Sequence, residues 1–116
     1  MSEIEKLLRF QGPAFNEFKV SQLEVSGEMG VAESARAVKF SSQLSTENSR
    51  IGLFAYNASA TSSGELYYGD TQGVTSADGF PIPKGSLVEI PVSDDLDVYF
   101  TCVSGEVGNL RILELA

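Results

Sequence analysis

The chain contains no histidine, no tryptophan and one cysteine, Cys102, among its 116 residues. Without histidine it lacks the side chain that most often moves protons near neutral pH and most often binds transition metals. A single cysteine cannot form an intramolecular disulfide, so the fold does not depend on an oxidising compartment. We therefore predict that the protein is not an enzyme, uses no cofactor and no metal, and holds Cys102 as a small core residue.

Long apolar runs are also missing. No stretch approaches the roughly 18 to 20 apolar residues of a membrane-spanning helix, and the first ten residues do not resemble a secretion signal. Acidic residues outnumber basic ones 16 to 8, which gives a net charge of −8. Such a chain is repelled by phosphate backbones and by anionic membranes. We expect no nucleic-acid partner, no membrane partner, and synthesis in the cytoplasm.

The charge is unevenly distributed along the chain. Residues 1–50 carry six basic and seven acidic side chains, a net charge of −1, whereas residues 51–116 carry two and nine, a net charge of −7. A partner surface of opposite sign would use that contrast for orientation. A solvated acidic surface that keeps the protein soluble explains it equally well.

After Pro13, apolar residues recur at every second position in short segments, which is typical of β-strands. Clusters of Gly, Pro, Ser, Asn and Asp separate these segments, and no helical pattern 10–15 residues long lies between them. The pattern predicts an all-β, jelly-roll-like antiparallel β-sandwich of about seven strands over residues 17–116. The predicted strands are 18–25, 35–40, 50–57, 65–69, 86–92, 96–103 and 109–115.

The first predicted strand changes phase partway along its length. Phe18 and Val20 share one face, but Leu23 and Val25 share the other. An extra residue in the strand reconciles the two halves, because a bulge shifts the alternation by one position. We therefore predict a β-bulge near Gln22.

Three other segments have patterns that indicate their place in the sandwich. Residues 50–57 are apolar on both faces, which predicts a central strand. Pro91 cannot donate a ladder hydrogen bond, so it predicts an edge strand or the end of a strand. Residues 69–85 form a long connection in which Phe80 and Ile82 favour a packed loop. We expect this loop to cover one end of the sandwich and to contact a neighbouring subunit.

Residues 1–16 are predicted to form an arm, helical or extended, ahead of the sandwich domain. Ile4, Leu7 and Leu8 stand at positions i, i+3 and i+4 and form one apolar stripe, with Phe10 just beyond it. About two helical turns are too short to be stable alone in water. The segment is therefore either a disordered tail or an arm that becomes ordered against a partner.

Two clusters offer binding chemistry that ordinary packing also explains. The acidic run at 94–97 supplies oxygen ligands for Ca²⁺ but lacks the spacing of an EF-hand, and a solvated turn is favoured. Five aromatic side chains could stack on a sugar, although core packing and turn anchoring are favoured for them. These are Tyr56, Tyr67, Tyr68, Phe80 and Tyr99.

The order of seven short segments is distinctive when they are taken together. They are IGLFAYN (51–57), GELYYG (64–69), VT (74–75), GFPIPKG (79–85), VEIPV (88–92), DVYF (97–100) and LRILE (110–114). Over about residues 36–115 the chain resembles the small β-sandwich structural proteins of tailed-bacteriophage virions, especially the capsid decoration (cement) proteins. Similar modules occur in phage tails, collars and fibres.

This resemblance implies a homotrimer on the capsid exterior, which binds the major capsid protein between capsomers and stabilises the shell without doing chemistry. From the apolar stripe we expect the arm to dock on the capsid, so that deleting residues 1–12 leaves a folded trimer that no longer binds. The alternatives are a tail, collar or fibre module and a carbohydrate-binding module for host attachment. The predicted partner-binding residues are Ile4, Leu7, Leu8, Phe10, Phe80 and Ile82.

Overall fold

A computed structural model describes residues 16–27, 30–59, 64–93 and 95–116. Eight strands in these ranges form two four-stranded antiparallel sheets, which confirms the predicted all-β sandwich. The strands are β1 (Phe18–Ser26), β2 (Val38–Phe40), β3 (Gly52–Asn57), β4 (Leu66–Gly69), β5 (Phe80–Ile82), β6 (Leu87–Glu89), β7 (Val98–Cys102) and β8 (Val107–Leu115). A 3-10 turn, Glu33–Arg36, precedes β2. No helix in the described ranges has the length and apolar character needed to cross a bilayer.

The strand order makes the sandwich a jelly roll. The first sheet has the order β1-β8-β3-β6 and the second has the order β2-β7-β4-β5. Strands therefore pair as a nested series, β1 with β8, β2 with β7, β3 with β6 and β4 with β5. This nested pairing is that of the double Greek key, in which two sheets enclose one core.

Strand β1 contains no bulge, so the prediction of one near Gln22 is wrong. All nine residues of β1 pair with β8 in one unbroken register. Val25 points into the core, whereas Phe18 and Val20 lie on the outer face and are 67% and 64% exposed. The change of phase in the sequence arises because this strand is apolar on opposite faces at its two ends.

Strand β5 lies within the segment predicted to be a connecting loop. It is only three residues long and contains Pro81, which a strand tolerates at a sheet edge because the missing N–H is not needed there. The predictions for β3 and β6 are confirmed. Strand β3 lies between β8 and β6, and β6 is an edge strand that ends at Glu89, two residues before Pro91.

The core lies between the sheets, and loops cover it at the end where β2 and β8 finish. Gln43, three residues beyond β2, donates its backbone N–H to Glu114 Oε1 near the end of β8 at 2.7 Å. Antiparallel pairing places the starts of β1, β3, β5 and β7 at this same end, which we call the Glu114 end. The chain also enters here, because the backbone N–H groups of Asn16 and Glu17 donate to the carbonyl of Ala116.

Candidate functional site

Exposed apolar side chains concentrate at the Glu114 end. Of the eight large apolar side chains that are exposed in the described residues, five belong to segments that start at this end or lie just before such a start. Each of the five is more than half exposed. They are Phe18, Val20, Ile51, Phe80 and Leu96.

Two of these residues form a patch on the outer face of the first sheet. Phe18 and Val20 lie on β1, and Leu113 of β8 stands directly opposite Val20. The apolar row continues to Phe54 of β3, which pairs with Leu113. Strand β1 lies at the edge of its sheet, and no described strand pairs with its outer side, so its backbone groups there can pair with an added strand. We call Phe18, Val20 and Leu113 the β1 patch.

Sequence reasoning did not identify the β1 patch as a surface. The signal was present as the conflict of phase along β1, which was interpreted as a bulge. A strand also has apolar residues on opposite faces at its two ends when part of its outer face is covered by another molecule.

A second surface is a groove of about 370 Å³ between the two sheets, which we call the β5 groove. The rings of Phe80 and Tyr68 form one wall, with centroids 5.3 Å apart, and Tyr68 in turn packs against Phe100 at 6.4 Å. Burial raises the pKa of the Tyr68 phenol, which keeps that wall uncharged. The lining residues are Tyr68, Gly69, Asp70, Asp78, Gly79, Phe80, Pro81, Ile90, Val92, Asp97 and Val98.

Three carboxylates, Asp70, Asp78 and Asp97, give the groove an acidic rim. Asp78 is held in place because Thr75 donates its N–H and its hydroxyl to Oδ1 at 2.7 and 3.0 Å. These bonds lower the pKa of Asp78, so the carboxylate stays charged in mild acid. Asp97 pairs with Lys39 at 3.2 Å, and no basic side chain is among the described lining residues. The β5 groove therefore combines apolar walls with negative charge.

The predicted partner-binding residues fall into three groups. Phe80 is 60% exposed at the mouth of the β5 groove. Ile82 is a correction, because its side chain is fully buried in the core and offers no surface to a partner. Four of the predicted residues lie outside the described residues: Ile4, Leu7, Leu8 and Phe10.

The aromatic residues considered for sugar stacking do not share one surface. Tyr67 and Tyr99 lie on the outer face of the second sheet, whereas Tyr68 and Phe80 lie on its inner face. Tyr56 lies on the outer face of the first sheet, opposite Arg111. The sandwich separates these rings, so they do not form a common platform.

Two carboxylates of the described residues, Glu17 and Glu33, hold neighbouring segments of the chain in place. Glu17 accepts hydrogen bonds from Asn48 and Ser45, chiefly the Asn48 amide, and these lower its pKa. Glu33 accepts hydrogen bonds from the N–H and the hydroxyl of Ser76. Both residues therefore anchor neighbouring segments of the chain. Across the described ranges, no three Cys, Asp or Glu side chains are grouped closely enough to hold a metal ion.

The acidic run at 94–97 includes one residue, Asp94, that lies outside the described ranges. Asp95 accepts a hydrogen bond from the Ser93 hydroxyl, which lowers the pKa of Asp95. Asp97 forms the ion pair with Lys39. The Ser93–Asp95 bond is the local side-chain contact of a turn, and the ion pair ties that turn to β2.

Cys102 lies in the core, and we predict that its thiol is unreactive in the folded protein. Burial raises the pKa of Cys102 to about 11, from about 8.5 for a free thiol. At pH 8 the thiolate fraction is then at least about 100-fold lower than in the unfolded chain. Titration with a chromogenic disulfide reagent should be slower by that factor in native protein than in urea. Equal rates in the two conditions would contradict the burial of this thiol.

Comparisons with protein-family models, with curated proteins and with solved structures found no match to this chain. The jelly-roll order is shared by proteins of many functions, so the fold by itself does not assign one. Function is therefore inferred from the two surfaces at the Glu114 end and from the order of sequence segments.

Proposed function

We propose that the protein is a structural binding protein, and specifically a decoration protein that binds the outside of a tailed-phage capsid as a homotrimer. The concentration of exposed apolar side chains at the Glu114 end is the main support for a binding role. Exposed apolar residues on a monomer are normally scattered singly, and a cluster of them is typical of a contact with another protein. The resemblance of residues 36–115 to decoration proteins suggests the major capsid protein as the partner.

The β1 patch suits the contact with the shell. Phe18 and Val20 provide apolar side chains for burial, and the edge of β1 that no described strand covers provides backbone groups for an added strand. Three copies joined in one trimer gain avidity without new contacts if all three bind together. The net charge of −8 suits a position outside the shell, away from the packaged DNA.

The double variant Phe18→Ser/Val20→Ser tests this proposal. Losing two buried apolar anchors should weaken binding to capsids by at least about 100-fold, since each is worth about 1.5–3 kcal/mol. Folding should be preserved, because both side chains are exposed in the free protein. Binding is measured by co-sedimentation with particles stripped of the protein, and electron images of the particles locate the bound copies.

The control is Val107→Ser, which removes an exposed apolar side chain from the other end of β8. It should bind like the unaltered protein. If the double variant saturates capsids as the control does, the β1 patch is not the docking surface. If the unaltered protein binds no capsid at all, the proposed function is wrong.

A tail, collar or fibre module is the alternative, because the resembling modules also occur in those parts of virions. Labelled protein on purified particles distinguishes the two, since decoration covers the shell and the alternative labels only the tail structures. The separation of the tyrosines over different faces weighs against the carbohydrate-binding alternative.

A further inference from the structure

We infer that the β5 groove binds the N-terminal arm of a second copy of this chain, through residues 6–10. This inference rests on the self-association in the proposed function but not on the capsid. It assigns a partner to Phe80, and it joins the two sets of residues that sequence reasoning selected for partner binding.

The groove has the chemistry of a pocket for an apolar side chain next to a positive charge. Its walls are aromatic on the side of Tyr68 and Phe80 and aliphatic at Ile90 and Val98. Ile90 and Val98 are buried, so the floor reaches the core of the sandwich. Its volume of about 370 Å³ is that of a small binding pocket. An apolar anchor flanked by basic groups satisfies both the walls and the acidic rim.

The arm supplies that combination. Lys6 and Arg9 flank Leu7 and Leu8, and Phe10 follows directly. Three basic residues of the described ranges are already in ion pairs with carboxylates of their own molecule: Lys19, Lys39 and Arg50. The arm sequence therefore combines apolar side chains and two basic residues in one short segment, which complements the groove.

The positions of the arm and the groove favour a neighbouring copy. The arm joins the sandwich at Asn16 beside β1, whereas the groove is lined by β4, β5 and the segment after β6. Strands β1 and β6 are opposite edges of the first sheet, about 14 Å apart. To reach its own groove, the arm must cross the loops that close the Glu114 end, which are joined by the bond from Arg50 to the Ser93 carbonyl.

A neighbour placed head to tail receives the arm in its groove without such a crossing. Two different surfaces then meet, and such a head-to-tail contact forms the trimer of the proposed function if the rotation between copies is one third of a turn. The inference reverses one expectation from sequence. If the arm docked on the capsid, its deletion would leave a trimer, whereas an arm held in a neighbour's groove makes the deletion dissociate the oligomer.

Disulfide trapping in the full chain tests the contact. The variant Leu8→Cys/Phe80→Cys, oxidised with copper phenanthroline, should give covalent oligomers on a non-reducing denaturing gel and monomers after reduction. Native Cys102 contributes no background because it is buried. The control, Leu8→Cys/Val107→Cys, places the second thiol at an exposed position at the other end of β8 and should stay monomeric. Monomers only, whether internally linked or unlinked, overturn the inference, and so do equal oligomers in the control.

Charge reversal provides a second test that introduces no cysteine. Lys6→Glu/Arg9→Glu and Asp70→Lys should each weaken self-association at least tenfold in sedimentation, and the combination of all three should restore part of it. Unchanged association in the separate variants overturns the arm contact. Oligomers that persist in this way and still bind capsids remove this inference and leave the proposed function standing. Capsid binding by a monomeric unaltered protein removes the arm contact and the trimer together.

Discussion

Removing the negative charge of Glu114 should lower the free energy of unfolding by about 3–5 kcal/mol. Glu114 and Arg50 form an ion pair at 3.1 Å in which both side chains are nearly inaccessible to water. The other carboxylate oxygen accepts the N–H of Gln43, and Arg50 also donates to the Ser93 carbonyl. The pair therefore joins β8 to the two loops that cover the Glu114 end. Breaking it leaves a buried cation without its counter-charge.

Glu114→Gln keeps the shape of the side chain and removes only its charge. The control is Lys39→Met, which breaks the ion pair with Asp97, where both side chains are about half exposed. That change should cost less than about 1 kcal/mol. Replacing both partners, as Arg50→Met/Glu114→Leu, should recover most of the loss because no buried charge remains. Urea unfolding followed by circular dichroism measures all three, and equal costs for Glu114→Gln and Lys39→Met would contradict the prediction.

The second large effect is expected at Asn57, the last residue of β3. Its amide nitrogen donates to the carbonyls of Gly64 and Ile82 at 2.9 and 2.8 Å, and its amide oxygen accepts the N–H of Ser59. The side chain is completely buried. Asn57→Asp replaces two donors by an acceptor facing two carbonyl oxygens, and each unsatisfied carbonyl costs about 1–3 kcal/mol. We expect a loss of at least about 3 kcal/mol at neutral pH.

The loss should shrink as the pH falls. In the folded variant, burial and the two carbonyls raise the pKa of the new carboxyl above its value in the unfolded chain. The folded state then binds more protons, so its stability relative to the unaltered protein declines as the pH rises through that interval. The control, Asn109→Asp, changes an exposed side chain and should stay within about 0.5 kcal/mol. A difference between variant and unaltered protein that is small, or that grows in acid, would be inconsistent with this account.

The sequence predicted the fold class well because alternation carries most of that information. Along β8, alternation places Leu110, Ile112 and Glu114 on one face, and all three are buried. It could not supply Arg50 as the partner of Glu114, because 64 residues separate them and only the sheet topology brings them together. The buried role of Asn57 could not be predicted either, since asparagine is normally a residue of turns.

Alternation predicted the strand face on which each candidate residue lies, but not how deeply its side chain is buried. Phe80 and Ile82 share one face of β5, as alternation requires, but Phe80 stands at the mouth of the groove and Ile82 lies in the core. How deeply a residue is buried depends on where along its strand the opposite sheet covers it, and only the packed sandwich determines that. The short strand β5 was missed for a related reason. Its proline indicates a loop, but β5 lies at a sheet edge, where only one side of the backbone has to pair.

The nested strand order has a consequence for how the protein is made. The eighth strand is the only link between the first and the third within their sheet, yet it leaves the ribosome after all the others described. Until it emerges, β1 has no partner strand among those described, and the β3–β6 pair lacks the strand that joins it to β1. A nascent chain interrupted before residue 107 should therefore be a target for chaperones and proteases, whereas adding the nine residues of β8 joins β1 to β3 and completes the first sheet.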